Sequence, residues 1–464
     1  MSESVLNITT NGLKILEMYS WLLDSYVLDY FTDHHWNKLP SSWRNILETI
    51  EPQELEQFLN PKTSFERNKR LWPLSLMCLH VVASRFSGSR NPVKLESIFD
   101  IHINAKDKLT GTIKEEQLDN PMFSLESRNQ EWQVSRTSYL EHSKLHYIFT
   151  KHVKPKKQHE ISRMAQITAS VAEIEDCQYV VDIGSGLGHL ARKLAYGYGL
   201  RICCLEAQEE LSVQAKKLDL ELEISASKVI KEENINIFRP VHLTVTLDSQ
   251  MTAEMFMNAL KTAFGIGDEN FRFGIVGLHP CGDLAPILMQ LFVQCKNAIF
   301  INIVGCCYMK LSTDNFSGFC GYPMSNQRLK IGQYENLKVH CYRAVLEKIL
   351  VKYWPHLKHT MIKSIKHSSG MTFTEYITLA FTKLGLKVPQ NYVDSEEIKT
   401  DLLQWKKVVT FYTLRLMLAP LVETVVLLDR LIYLQELDIR SSLIPLFDPI
   451  LSPRNNILIG RKKS

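Results

Sequence analysis

The apolar positions of this chain change their spacing partway along it. Over roughly the first 150 residues they recur at helical spacing. Leu13–Phe31 mixes aliphatic and aromatic residues in this way, and Leu71–Phe86 forms a second apolar helical run. Pro40-Ser-Ser-Trp43 predicts a helix start with a serine cap. Asp107–Asn120 is polar and predicts a loop, and Trp132–Phe149 predicts a helix leading onward. Trp21, Trp36, Trp43 and Trp72 are expected in the core of this helical part.

Beyond residue 150 the pattern alternates. A helix is predicted over Ile161–Ile174. Short apolar runs then read as strands: Tyr179–Ile183, Arg201–Glu206, His242–Leu247, Phe273–Leu278, Ala298–Val304 and, near the end, Asn456–Gly460. A further short strand is predicted at Leu222–Ala226. Helical stretches fall between the strands, from His189, from Glu206 to about Asp219, and over Leu284–Phe292. Strands alternating with helices imply a parallel, doubly wound α/β sheet. The expected division is therefore an N-terminal helical domain over 1–150 and an α/β domain over 151–464.

One of these junctions carries the most specific signal. Tyr179-Val-Val-Asp-Ile-Gly-Ser-Gly-Leu-Gly188 reads as strand, tight glycine turn and helix. Glycine at 184, 186 and 188 lets backbone amides approach a ligand that a Cβ would block. The free N–H groups of a helix start favour an anionic or polar ligand there. Dinucleotide oxidoreductases space these glycines as Gly-x-Gly-x-x-Gly. Here the spacing is Gly-x-Gly-x-Gly, with Asp182 two residues before the first glycine. A carboxylate at that place suits the methionyl amino group of S-adenosylmethionine. A second acid is then needed at the end of the next strand for the ribose hydroxyls, and Glu206 occupies it. The expected cofactor site is Asp182, Gly184, Ser185, Gly186, Gly188 and Glu206.

Composition narrows this reading only a little. The chain has 464 residues, 45% hydrophobic and 22% charged, which is ordinary for a globular protein long enough for two or three domains. A net charge of +4 permits a nucleic-acid partner without arguing for one. The ten cysteines show no small-scaffold spacing, and Cys203-Cys204 and Cys306-Cys307 sit in apolar runs. They read as reduced and buried, which points to an intracellular protein, cytoplasmic or nuclear. Met1–Asn11 lacks the pattern of a secretory leader. Val408–Leu434 is the most apolar stretch, but Arg415, Glu423, Asp429 and Arg430 interrupt it. A buried helix, not a transmembrane segment, is expected there.

Two more segments close strands at the edge where open α/β sheets bind ligands. They are Gly277-Leu-His-Pro-Cys-Gly-Asp-Leu284 and Val304-Gly-Cys-Cys-Tyr-Met-Lys310. His279 and Asp283 are candidates for a proton acceptor and its orienter, and Tyr308 for stacking on a planar substrate. Packing of the loop by the same residues is the plainer alternative. His279, Cys281, Cys306 and Cys307 have the donor types of a zinc site, but not its spacing, so no metal is expected. In Lys151-His-Val-Lys-Pro-Lys-Lys-Gln-His-Glu160, the lysines 154, 156 and 157 read either as a solvated helix start or as phosphate contacts.

Taken together these segments resemble the methyltransferase-like protein 25 family, closest to its 25B branch, the ribosomal RNA adenine dimethylase domain-containing proteins. The resemblance rests on Lys156–Glu160, the Asp182 glycine turn, Gly277–Leu284 and Val304–Leu311. It extends to Cys341–Glu347, Leu418–Thr424, Leu428–Glu436 and Leu451–Asn455. It implies a class I methyltransferase (Rossmann-like) fold and S-adenosyl-L-methionine as cofactor. Two departures accompany it. His279-Pro-Cys stands where adenine-N6 dimethylases carry an Asn-x-Pro-aromatic motif, and Phe319–Asn336 is shorter than the connection associated with the 25B branch. A fainter resemblance runs to tRNA ribose methyltransferases, which carry a His-x-Cys-Gly segment at the same strand end. The expected function is S-adenosylmethionine-dependent methyl transfer to an unknown macromolecular acceptor, RNA or protein. The alternatives are a non-catalytic scaffold that keeps the fold and an NAD-linked oxidoreductase.

Overall fold

The computed structural model describes residues 3–59, 70–93, 140, 147, 149–151, 153–228, 238–267, 271–306, 334–360, 365 and 370–463. The expected Asp107–Asn120 loop, most of the Trp132–Phe149 helix and most of Phe319–Asn336 lie outside them.

Seven strands form one sheet. They are β1 (Tyr179–Ile183), β2 (Arg201–Glu206), β3 (Val241–Thr244), β4 (Phe273–Cys281), β5 (Ala298–Cys306), β6 (Arg440–Pro445) and β7 (Asn456–Arg461). Their spatial order is β3-β2-β1-β4-β5-β7-β6. Strands β1 to β5 pair in parallel, whereas β7 is antiparallel to both β5 and β6. This is the sheet of a class I methyltransferase. The strand order reverses between β1 and β4, so the crevice beyond their carboxyl ends is where a ligand should bind.

The strands read as continuous apolar runs because helices cover both faces of a parallel sheet. Val180, Val181, Cys203, Cys204, Ile275 and Val276 are all fully buried. The glycines of the inner strands have a packing role. A Cβ on Gly274 would sit 2.0 Å from Cζ of Phe300 on the neighbouring β5.

Helices Pro155–Ile174, His189–Tyr198, Glu209–Ser227, Ala253–Phe264 and Leu284–Gln294 connect or precede the strands. The expected strand at Leu222–Ala226 is not one: these residues end the helix Glu209–Ser227. The buried positions Ser212, Ala215, Asp219, Leu222 and Ala226 are spaced by three and four, a helix face that continues unbroken past residue 219. The helix near Trp43 spans Ser41–Leu47, but no serine caps it. Pro40 holds the cap position, which places both serines inside the first turn. Trp43 and Trp72 are buried, and Trp21 and Trp36 are half-buried.

The chain separates into two compact units. One holds 1–7, 88–317 and 426–464, and so contains the whole sheet. The other holds 8–87 and 318–425 and is helical, with Leu74–Arg85, Lys338–Tyr353, Phe373–Leu384 and Trp405–Met417 among its elements. A single cut at residue 150 does not describe this grouping, because residues 318–425 cluster with the N-terminal helices. The apolar stretch Trp405–Glu436 is long enough to cross a membrane by length and composition, yet 78% of its most apolar window is buried in protein.

Gly274→Ala should destabilise the sheet unit by about 1–3 kcal/mol, the usual cost of overpacking a core. Denaturant unfolding followed by circular dichroism would read the loss. Unchanged stability would mean that Phe300 has room to move aside.

Candidate functional site

The carboxyl edge of the sheet begins with Asp182 and Glu206. Asp182 lies on β1, opposite Cys204 of β2, and Glu206 ends β2 two residues later. The turn after β1 is built from three glycines with left-handed backbone. Gly184, Gly186 and Gly188 have φ of 69°, 56° and 69°, in the left-handed region that side chains disfavour. The Gly184 N–H donates to the carbonyl of Leu205 at 2.8 Å. The Gly186 N–H donates to Oε2 of Glu206 at 2.8 Å, and the Gln208 N–H donates to Oε1 at 3.0 Å. The second acid is therefore bonded directly to the glycine turn. A Cβ on Gly186 would meet nothing within 4 Å among the described residues, so among these the turn borders open space on that side.

Asp182 is buried, and its carboxylate accepts the backbone N–H of Ala191 in the first turn of the helix His189–Tyr198. Its Oδ2 is buried without a hydrogen-bond partner. Burial raises the Asp182 carboxyl to about 7. The Ala191 bond opposes that rise, the Glu206 charge adds to it, and the Lys157 charge lowers it. A buried carboxylate with one unanswered oxygen suits a cationic or strongly donating ligand group.

A buried ionic cluster supports the turn from behind. Asp219, fully buried on the helix Glu209–Ser227, receives Nε of Arg192 at 2.8 Å and lies 2.7 Å from Nε2 of His242. Arg192 also donates to the carbonyls of Leu187 at 3.0 Å and Ala215 at 3.3 Å. A Cβ on Gly188 would lie 3.1 Å from Cε1 of His242. Arg192 thus holds the backbone of the turn, and a Cβ at position 188 would press on the His242 ring. Nothing in the sequence marked Arg192, Asp219 or His242, because they come from three separate elements.

His279 lies two residues before the end of β4, within an irregularity of the β4–β5 register, with φ of 70°. Such a bulge re-aims a side chain. The carboxylate found beside its ring belongs to Glu160: Nε2 and Oε2 are 3.1 Å apart. Asp283, the expected orienter, stands at the start of the helix Leu284–Gln294, where its carbonyl accepts from Ile287. Tyr308, Cys307 and the side chain of Cys306 lie outside the described residues. Cys281 is exposed and outside any disulfide, with its thiol donating to the His279 carbonyl at 3.5 Å, and Cys177, Cys203, Cys204, Cys295 and Cys341 are buried and outside any disulfide.

Replacing Asp219 by alanine strands the Arg192 charge in the interior. It should cost about 3–5 kcal/mol of stability, as breaking a buried ion pair does. Urea unfolding of the variant measures this, and a cost near zero would show that the cluster does not support the turn.

Residues 156–314 match a family described as "Methyltransferase domain". The chain is similar to the probable methyltransferase-like protein 25 of Mus musculus, 31% identical over 269 residues, covering 50% of this chain and 42% of that relative. It is also similar to the Homo sapiens protein of the same name, 29% identical over 270 residues with the same coverage. The chain thus spans less than half the length of these relatives. Among solved structures, a plantazolicin methyltransferase in complex with a pentazolic desmethylPZN analog and SAH overlaps 57% of this chain and 88% of its own, at 14% identity and a TM-score of 0.22. That overlap is too weak to add to the sheet order itself. The chain carries a class I methyltransferase domain, and over half its length it is similar to the methyltransferase-like protein 25 family.

Proposed function

We propose that this protein binds S-adenosylmethionine between Asp182 and Glu206 and transfers its methyl group to a macromolecular acceptor, RNA or protein, inside the cell. The observation that carries the reading is the Glu206 carboxylate bonded to the Gly186 N–H beside open space, with the orphaned Oδ2 of Asp182 two strand positions away. The residues present fit the group. Asp182 has an oxygen to offer an ammonium. Glu206 keeps lone pairs for a sugar diol, and the turn lacks side chains that would fill the space. When bound, the cofactor supplies an activated methyl group on a sulfonium.

Methyl transfer by in-line displacement asks the protein chiefly to align acceptor and methyl carbon. The chain supplies rigid anchors for that alignment. Both acids sit on central strands, and the turn between them is held by the Leu205 carbonyl, Glu206 and Arg192. We infer that His279, two residues before the end of β4, which pairs with β1, is the proton acceptor of this reaction. Placement in the 25B branch also belongs to this proposal, on the motifs that suggest it.

Glu206→Ala should weaken binding of S-adenosylhomocysteine by about 1–3 kcal/mol, the scale of a hydrogen bond to a charged group. Calorimetry reads it, and equal affinity would remove Glu206 from the site. Competition with NAD in the same assay separates the oxidoreductase alternative.

Asp182 makes binding depend on pH. Its folded value, about 7, lies above its unfolded value of 3.8, so its protonation favours the apo fold and stability falls as pH rises between the two. A ligand ammonium needs the ionised carboxylate. Affinity should therefore rise from about pH 6 to about pH 8, with release of a proton on binding. Titrations in two buffers of different ionisation enthalpy detect that proton. Affinity that is flat with pH, with no proton released, would show that Asp182 does not meet the ligand.

A further inference from the structure

The helical unit holds a side-chain cluster that methyl transfer does not use. Asp29, in the turn Val27–Tyr30, and Glu347, on the helix Lys338–Tyr353, are 5% and 3% exposed. His359 follows the turn Pro355–Leu357, and its side chain, 41% exposed, is open to solvent. All three belong to the unit of residues 8–87 and 318–425. Each offers one donor atom, and these atoms lie within 4.8 Å of one another. Nε2 of His359 is 2.9 Å from Oδ1 and 2.8 Å from Oδ2 of Asp29, and 4.0 Å from Oε1 of Glu347. A tetrahedral ion with bonds of about 2.0–2.1 Å spaces its ligand atoms about 3.3 Å apart. The observed separations straddle that value, so small side-chain shifts would admit an ion.

The charges point the same way. Buried carboxylates are paired or coordinate metals. Asp29 meets Lys358, whose Nζ is 3.4 Å from Oδ1. Among the described residues, no cation comes nearer to Glu347 than the His359 ring. Oε1 of Glu347 accepts the His359 N–H at 2.6 Å, a neutral donor that leaves the charge without a close counter-ion. His359 thus spans both acids, one by its backbone and one by its ring, with a left-handed φ of 60°. The Tyr26 ring lies edge-on to the imidazole, with centroids 4.9 Å apart.

We propose that Asp29, Glu347 and His359 form a site for a divalent cation of the zinc type, which ties the turn, the helix and the loop of the helical unit together. Two carboxylates and one imidazole are donors that zinc accepts, whereas magnesium and calcium sites are built from oxygen. Nε2 gives its lone pair to the ion, and the proton it carried passes to solvent or to Nδ1. Three protein ligands leave a fourth position for water. No step of methyl transfer is assigned to this site.

The test uses the full chain, stripped with a chelator and with its exposed Cys78 and Cys281 thiols alkylated. Zinc titrated against a competing indicator should bind at one equivalent, with a Kd of about 1 μM or tighter. It should raise the thermal midpoint by about 3 °C or more, and magnesium at about 1 mM should not compete. Cobalt in the same site should show the visible bands of oxygen and nitrogen ligands, with no thiolate charge-transfer band. Glu347→Gln and His359→Gln should each weaken zinc at least about ten-fold. Lys358→Ala removes a competing ammonium and should tighten zinc about three-fold or more. Loss of stability in Lys358→Ala with no gain in affinity marks the cluster as an ion-pair network and overturns the proposal. So does absence of binding at about 100 μM zinc, unchanged affinity in His359→Gln, or a thiolate band from cobalt. Should Glu347→Gln fail to fold, the wild-type titration and the half-exposed His359→Gln and Lys358→Ala positions still decide.

Discussion

The bond between the Glu206 carboxylate and the Gly186 N–H joins the end of β2 to the turn after β1. The rest of the site depends on it. The acid cannot leave the turn without stranding a charged oxygen, and the turn cannot open without losing an anchor. Position 186 must also expose its amide to that acid while keeping a left-handed backbone, which favours glycine. The open space beside Gly186 follows from the same geometry, because no side chain is there to fill it.

The cluster behind the turn extends this constraint into the interior. A buried ion pair contributes little by itself to stability, since desolvation offsets the attraction. What Arg192, Asp219 and His242 supply is position: Arg192 spends its remaining donors on the Leu187 and Ala215 carbonyls, and His242 closes the space at Gly188. The turn is thus held on one side by Glu206 and on the other by Arg192. Asp182, on β1, keeps an oxygen that no side chain or backbone group among the described residues answers. A rigid collar around an unsatisfied acid is an economical way to recognise a ligand by its ammonium and sugar ends.

The second carboxylate centre, at Glu160, has the opposite character. Its oxygens are both occupied, by His279 and Ser452. It therefore suits orientation of a neighbour better than capture of a ligand. The sheet places the two centres at one edge: the glycine turn follows β1, and His279 lies near the end of the adjacent β4.

The pattern of Tyr179–Gly188 and Glu206 by itself determined the strand–turn–helix and the position of two acids at the carboxyl edge of one parallel sheet. Those features are local or follow from one crossover, so residue spacing carries them. Leu222–Ala226 misled because a short apolar run looks alike in a strand and at the end of a helix, and only packing of the whole face separates the two. Tertiary structure alone decided which carboxylate lies on His279. Asp283 was four residues away and Glu160 more than a hundred, yet the hydrogen bond to Glu160 forms because the helix Pro155–Ile174 packs along β4 and β5 and brings it there. The Arg192–Asp219–His242 cluster and the grouping of residues 318–425 with the N-terminal helices were hidden for the same reason. Burial and pairing between distant segments are properties of the packed chain, and no window of sequence contains them.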